Sequence, residues 1–438
     1  MSHFNRVSYI ISFFILISFE LMIHVGCKDK IKSGKADILE EGKSDSAMSN
    51  VGEWLGPLGN FRNGRSLEKD WRQDWFNNEP NLLWKREIGV GAASVSCFGG
   101  LVYCVGNKNN KEVVQCLDAN TNKILWEYSY PCDIDKRMFE GGSASSPVID
   151  VERGSLYILS HEGELRSLDL DKGKELWRVS YLNEFKGIRP NWGYASSPLL
   201  CDDKLIIVPG GDGSGVVALD PDSGEKIWST GKDRPGYSSP VQINNGNGKD
   251  VMVFNEYGLS IFNSLRGEQL ARVRWDTDHG VNATLPLYIS GHVFVCSGYG
   301  KGGGMFKFNQ SKLDLIYEVK EAVCQFQSPI ALGGFLYLVI GDNSTKAKLA
   351  CMRLDNGAIA WTERLSGNRG NVITADGKLI VVSERGEVLL CEASEKGFTE
   401  HGRFQAVGGR CWAPPALADS KLFIRNNSGR LVCYDLKK

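Results

Sequence analysis

Apolar residues in this chain fall in short runs, such as LVYCVG and HVFVCSG, that break repeatedly at Gly, Asp and Asn. Runs of that length predict β-strands joined by tight turns. The runs also recur as a unit. The strings LDANTNKILWEY, LDLDKGKELWRV, LDPDSGEKIWST, FNSLRGEQLARV, FNQSKLDLIYEV and MRLDNGAIAWTE align without gaps. Their second residues are Asp118, Asp169, Asp220, Asn263, Asn309 and Arg353, and Glu392 and Asp435 extend the series. The spacings are 51, 51, 43, 46, 44, 39 and 43 residues. Periods near 40–50 residues are those of a propeller blade, a small sheet that buries its faces only against its neighbours.

Each unit has a mechanical reading. An apolar run ends at the acidic position, a turn such as DKG or DSG follows, and a second run carries an aromatic residue eight positions on. That residue is Trp126, Trp177, Trp228, Tyr317 or Trp361, with Ala271 and Glu400 as exceptions. Gly173, Gly224, Gly267 and Gly357 supply the positive φ of the hairpin turn. The tryptophans are expected to pack between adjacent blades rather than to carry a cofactor.

A second register lies about 22 residues upstream of each acidic position: SASSP (Pro147), YASSP (Pro198), GYSSP (Pro240), NATLP (Pro286), FQSP (Pro329) and CWAPP (Pro414). Proline has no N–H for a ladder and keeps to sheet edges. Small Ser and Ala suit strands crowded around one axis. The SSP motif therefore marks the innermost strand and the Trp run the outermost. NLLWKREIG at 81–89 resembles an outer strand, with Trp84, but has no inner strands before it; the last copy, ending CYDLKK, has no Trp strand after it. The N-terminal run is thus expected to complete the last blade. The chain reads as one all-β, eight-bladed propeller over residues 53–438, in place of the roughly three domains its length suggests.

The first 26 residues read differently. Arg6 precedes an apolar run, Tyr9 to Phe19, that suits the core of a signal peptide and is short for a membrane span. Cys27, after Val25-Gly26, resembles the lipidated cysteine of a bacterial lipobox, although Glu20 interrupts the run and His24 replaces an aliphatic residue. An ordinary cleaved signal and an uncleaved anchor remain alternatives, and all three export the body to the periplasm or the outer membrane. Residues 27–52 are polar and aperiodic, as a flexible tether is.

Composition narrows the function classes. With 51 basic and 52 acidic residues, the net charge of −1 offers no field for nucleic acid. The 50 glycines accompany only 14 prolines, so their excess belongs to turns. Among the 12 cysteines there is no CxxC and no vicinal pair. Most sit in strand-like runs, where cysteine behaves as a small buried hydrophobe, and no metal site is expected.

The unit LD-x-x-[TS/KG]-G-x-x-x-W preceded by SSP resembles the PQQ-like β-propeller repeat, shared by quinoprotein alcohol dehydrogenases and BamB-like envelope lipoproteins, over roughly residues 50–438. The stretch EWLGPLGNFRNG is similar to the lead-in of BamB-like repeat proteins. The resemblance implies either a non-catalytic scaffold that binds an envelope protein or peptide, or an alcohol or polyol dehydrogenase; the chain is expected to be a monomer. The dehydrogenases' site implies a quinone on a tryptophan, a vicinal disulfide, and calcium held by Glu and Asn beside an Asp base. No Cys-Cys, haem-attachment motif, nucleophile elbow or HExxH occurs, so no catalytic residue and no cofactor are expected; PQQ and calcium belong to the dehydrogenase alternative alone.

Segments just before each inner strand should form the channel mouth. They offer Glu140, Arg189, Trp192, Arg234, Tyr237, His279, Asn282, Gln325, Arg369, Arg410 and Trp412. Arginines and aromatics together suit an anionic ligand, a sugar or a peptide better than a bare divalent ion. A carbohydrate-binding propeller is the further alternative.

Overall fold

Eight four-stranded antiparallel sheets make up the ring. The structure, a computed structural model, describes residues 51–438 except Lys136, Met138 and Asn247. The expected signal peptide (1–26), Cys27 and all but the last two residues of the tether lie outside the described residues. Blade 1 runs from Ser96–Phe98 to Ile124–Pro131, blade 2 from Val148–Asp150 to Glu175–Ser180, and blade 3 from Leu199–Cys201 to Lys226–Thr230. Blades 4 and 5 run from Val241–Asn244 to Gln269–Arg274 and from Leu287–Ile289 to Leu313–Val319. Blades 6 and 7 run from Ile330–Leu332 to Ile359–Arg364 and from Gly370–Ala375 to Glu400–Gln405. Blade 8 takes three strands from the C-terminus, starting at Ala416–Ala418, and its outermost strand from Asn81–Glu87. That N-terminal strand pairs antiparallel with Arg430–Asp435. Joining the two chain ends in one sheet leaves no open blade.

The repeat signature turns out to be a set of fasteners between blades. Each indole reaches the turn of the next blade and donates to a backbone carbonyl there. Trp84 reaches Ala119 at 2.8 Å, Trp126 reaches Leu170 at 3.0 Å, and Trp177 reaches Pro221 at 2.8 Å. Trp228 reaches Ser264 at 3.1 Å and Trp361 reaches Ser394 at 2.8 Å. Tyr317 uses its hydroxyl on Leu354 at 2.8 Å. The acidic residue braces the receiving turn: Asp169 Oδ1 accepts from the N–H groups of Asp171 and Lys172. The turn glycine is needed twice over. Gly173 has φ +66°, and a Cβ there would meet the Trp126 ring at 2.3 Å.

A bulge sits at the same place in every blade, where Cys116 pairs with Trp126 but Leu117 with Ile124. The skipped residue is thrown outward. Leu83, Leu125, Leu176, Ile227 and Ile316 are consequently exposed, each immediately before its aromatic residue. The two units without an aromatic are filled otherwise. Ala271 shares an apolar cluster with Phe306, Phe308 and Leu313. Between blades 7 and 8, Trp75 from the N-terminal segment packs on Phe404, centroids 5.5 Å apart, over Gly402.

The SSP motif is also a fastener. The Ser146 hydroxyl accepts the Ser94 N–H at 3.0 Å, Ser197 accepts from Ser146 at 2.9 Å, and Ser239 accepts from Ser197 at 2.8 Å. Ser328 does the same for Leu285 at 2.8 Å. These side-chain hydroxyls join the inner strands of neighbouring blades around the axis. All eleven described cysteines are buried and free of disulfides.

Candidate functional site

The axial channel is blind. Residues 52–68 cross the face opposite the mouth and bond to blade after blade. Trp54 pairs with Cys97 of blade 1, the Leu55 carbonyl accepts from Ile149 of blade 2, and Ser66 donates to Thr374 of blade 7. Glu68 accepts from the Asp419 and Ser420 N–H groups of blade 8. In the middle of this strap, Arg62 is buried. Its guanidinium donates to the carbonyls of Pro240 at 2.8 Å, Ser197 at 3.3 Å, and Pro198. Burial among neutral carbonyls lowers its pKa to about 9. Leu58 and Pro57 form the floor of the cavity above.

That cavity has a volume of about 280 Å³, just below the roughly 300–1,000 Å³ usual for ligand pockets. Inner-strand Ser and Ala residues line its depth, and aromatic side chains surround its opening. Of the candidates named from sequence, Trp192, Tyr237, Gln325, Arg369 and Trp412 line it. Phe139, Tyr299 and Phe326 join them and were not anticipated. Phe139 and Phe326 stand directly beside the named candidates Glu140 and Gln325 in the sequence.

The mouth is internally neutralised. Arg410 pairs with Glu140 at 2.7 Å, Arg189 with Asp135 at 2.7 Å, Arg234 with Glu256 at 3.1 Å and Arg369 with Glu384 at 3.1 Å. Each of these mouth arginines has a carboxylate from another loop. Arg369, the one charged lining residue among the described residues, is buried and also donates to Gln325 Oε1 at 2.9 and 2.6 Å, and to Asn343. Arg369 and Arg410 lie 5.2 and 4.9 Å from the Trp412 ring. Trp412 donates from Nε1 to Glu384 at 2.9 Å. Burial pushes Glu384 up, but bonds from Trp412, Asn368 and Arg369 outweigh it and hold the carboxyl below its ordinary pKa.

Two more candidates stand apart from the cavity lining. Asn282 is fully buried; its amide donates to the Asn255 and Trp275 carbonyls and its oxygen accepts from Ser297 at 2.7 Å. It supports its loop and has no capacity left for a ligand. His279 is exposed at φ +60°, edge-on between Trp192 and Tyr299.

A calcium-held quinone of the dehydrogenase type does not fit this mouth. Among the described lining residues none is Asp or Glu, so the cavity offers no carboxylate for the metal. The carboxylates of the quinone would meet arginines already committed.

A second cluster lies outside the cavity, where blade 1 meets blade 2. Cys132 Sγ is 3.5 Å from His161 Nε2, and the Glu162 carboxylate completes a group whose ligand atoms all lie within 4.8 Å of one another. Glu112 stands opposite Tyr130 on the strand Lys111–Asp118, two places from Cys132. It is fully buried, within reach of Cys132 and Ser143, yet neither oxygen has a hydrogen bond of good geometry. Burial raises its pKa to about 7, against smaller lowering by Ser143, Cys132 and Arg425. Sequence spacing gave no hint of this group, because 29 residues and a blade boundary separate Cys132 from His161.

The ring of four-stranded blades and the axial mouth define a β-propeller of the PQQ-like class. Residues 110–363 match the family described as outer membrane protein assembly factor BamB, and the chain belongs to that family. The BamB of Burkholderia pseudomallei (strain K96243) is 23% identical over 345 residues, covering 67% of this chain and 86% of that protein. A quinohemoprotein alcohol dehydrogenase of Comamonas testosteroni is 27% identical over 155 residues, 34% of this chain and 21% of that protein. Among solved structures, BamB from Moraxella catarrhalis superposes with a TM-score of 0.60 at 14% identity, covering 81% of this chain and 99% of that one. The Comamonas testosteroni dehydrogenase superposes at 0.68 and 12% identity, covering 90% and 82%. At such identities the superpositions speak for the fold alone.

Proposed function

We propose that this protein is an exported, non-catalytic propeller that acts as a binding scaffold in the cell envelope, with its channel mouth as the surface for a protein partner. The observation that carries the reading is the mouth itself. Its charges are spent on one another and its lining is aromatic, so it offers contact area rather than a nucleophile or a general base. Family membership supports an envelope role, because the matching family and the Burkholderia pseudomallei relative are named as assembly factors of the outer membrane. Export rests on the apolar leader and Cys27.

Affinity capture from detergent-solubilised envelopes, with Trp192→Ala and Trp412→Ala as controls, tests the scaffold. A specific partner lost with the variants is the expected result. Recovery of no partner, or of the same set with both variants, overturns it. Lipid attachment is tested separately by palmitate labelling, expected in the native chain and absent in Cys27→Ala.

A second reading is favoured by one observation. Serine hydroxyls and aromatic rings share the cavity, a combination that suits an uncharged sugar ring. Silence on a glycan array would remove it.

A further inference from the structure

We propose that Cys132, His161 and Glu162, backed by Glu112, form a binding site for a zinc-class divalent cation at the junction of blades 1 and 2. The central argument is a distance. A Zn–S bond of about 2.3 Å and a Zn–N bond of about 2.0–2.1 Å at a tetrahedral angle set sulfur and nitrogen about 3.5 Å apart. Cys132 Sγ and His161 Nε2 are 3.5 Å apart, the edge of such a tetrahedron. The Glu162 carboxylate lies within 4.8 Å of both and supplies a third ligand from the solvent side.

An independent observation points the same way. Glu112 is fully buried beside Cys132, and neither oxygen accepts a hydrogen bond of good geometry from the Cys132 thiol or the Ser143 hydroxyl within reach. A buried carboxylate held so weakly is costly unless a cation or a proton meets it. Thiolate, imidazole and carboxylate together select zinc over calcium or magnesium, which prefer all-oxygen cages.

The surroundings allow loading. At present the His161 Nε2 site is shared with the Asp133 carbonyl at 2.9 Å, and Nδ1 faces Arg189 Nη2 at 3.2 Å. The metal takes the place of the Nε2 proton, and the imidazole becomes the Nδ1–H form. Arg189 then gives up its contact with Nδ1 and keeps Asp135 at 2.7 Å and the His161 carbonyl at 3.2 Å. Cys132 releases its thiol proton to solvent along the exposed Glu162.

The test uses the full chain, stripped with chelator and titrated with zinc against a chromophoric competitor, then with cobalt(II) to read thiolate-to-metal charge transfer. One zinc per chain is expected, with a cobalt–thiolate band. Cys132→Ser should abolish the band, and Glu112→Gln should weaken zinc binding about 10–100-fold. Glu162→Ala lies at an exposed position, so its folding is safe, and it should weaken binding at least tenfold. Failure of the native chain to take up stoichiometric zinc overturns the site. So does native affinity in both Cys132→Ser and Glu162→Ala.

Discussion

The indole nitrogen of Trp84 lies 2.8 Å from the carbonyl oxygen of Ala119, so the ring closes through the same indole-to-carbonyl bond that Trp126, Trp177, Trp228 and Trp361 make between their blades. One strand from the start of the chain thereby completes the last blade and fastens it to the first.

The fastener can be weighed by substitution. Trp126 is buried and bonds Leu170 one blade on. Trp126→Phe keeps most of the apolar surface and loses the bond, so about 1–2 kcal/mol should be lost in chemical denaturation. Trp126→Ala should cost about 3–5 kcal/mol, because the cavity term is added.

Gly173 and Gly213 have similar positive φ, +66° and +74°, but only Gly173 lies under an indole. Alanine at Gly213 should cost about 1 kcal/mol for backbone strain alone. Gly173→Ala should cost at least about 2 kcal/mol more, because the added methyl meets the Trp126 ring. Equal losses, read from denaturation midpoints, would show that the ring moves aside freely.

Ser197→Ala removes the acceptor for the Ser146 N–H on the crowded axis. The orphaned donor should cost about 1–3 kcal/mol, visible as faster hydrogen exchange at Ser146.

Glu112 gives the metal-free protein a pH dependence. Its folded pKa of about 7 exceeds the ordinary value of 4.5, so the folded state holds its proton more tightly than the unfolded chain. Stability from this group is complete below pH 4.5 and falls between 4.5 and 7. The loss is on the order of 3 kcal/mol. Glu162 and Arg425 act on it in opposite directions. In chelator, Glu112→Gln should therefore be more stable than the native chain at pH 8 and no better at pH 4.

The paired mouth predicts that micromolar PQQ with calcium leaves the absorbance of both protein and quinone unchanged. Glu384→Gln removes the partner of Arg369. Anions such as citrate should then quench tryptophan fluorescence several-fold more strongly than in the native protein.

The sequence by itself determined the ring. Blade count, strand order, closure by the run around Trp84 and the burial of cysteines all follow from local patterns that repeat once per blade. A propeller needs only that each unit pair within itself and press on the next, so local signals are enough. The tertiary structure decided what the mouth and the junctions contain. Arg410 meets Glu140 from 270 positions away, and Trp75 fills a gap left by Glu400 in a distant unit. Residues 52–68, readable only as a lead-in, become the strap that blinds the channel. Cys132 and His161, unremarkable in separate units, reach a metal-binding distance. Such meetings depend on how a closed ring curves its loops toward one axis and presses neighbouring blades together, a geometry no single repeat encodes.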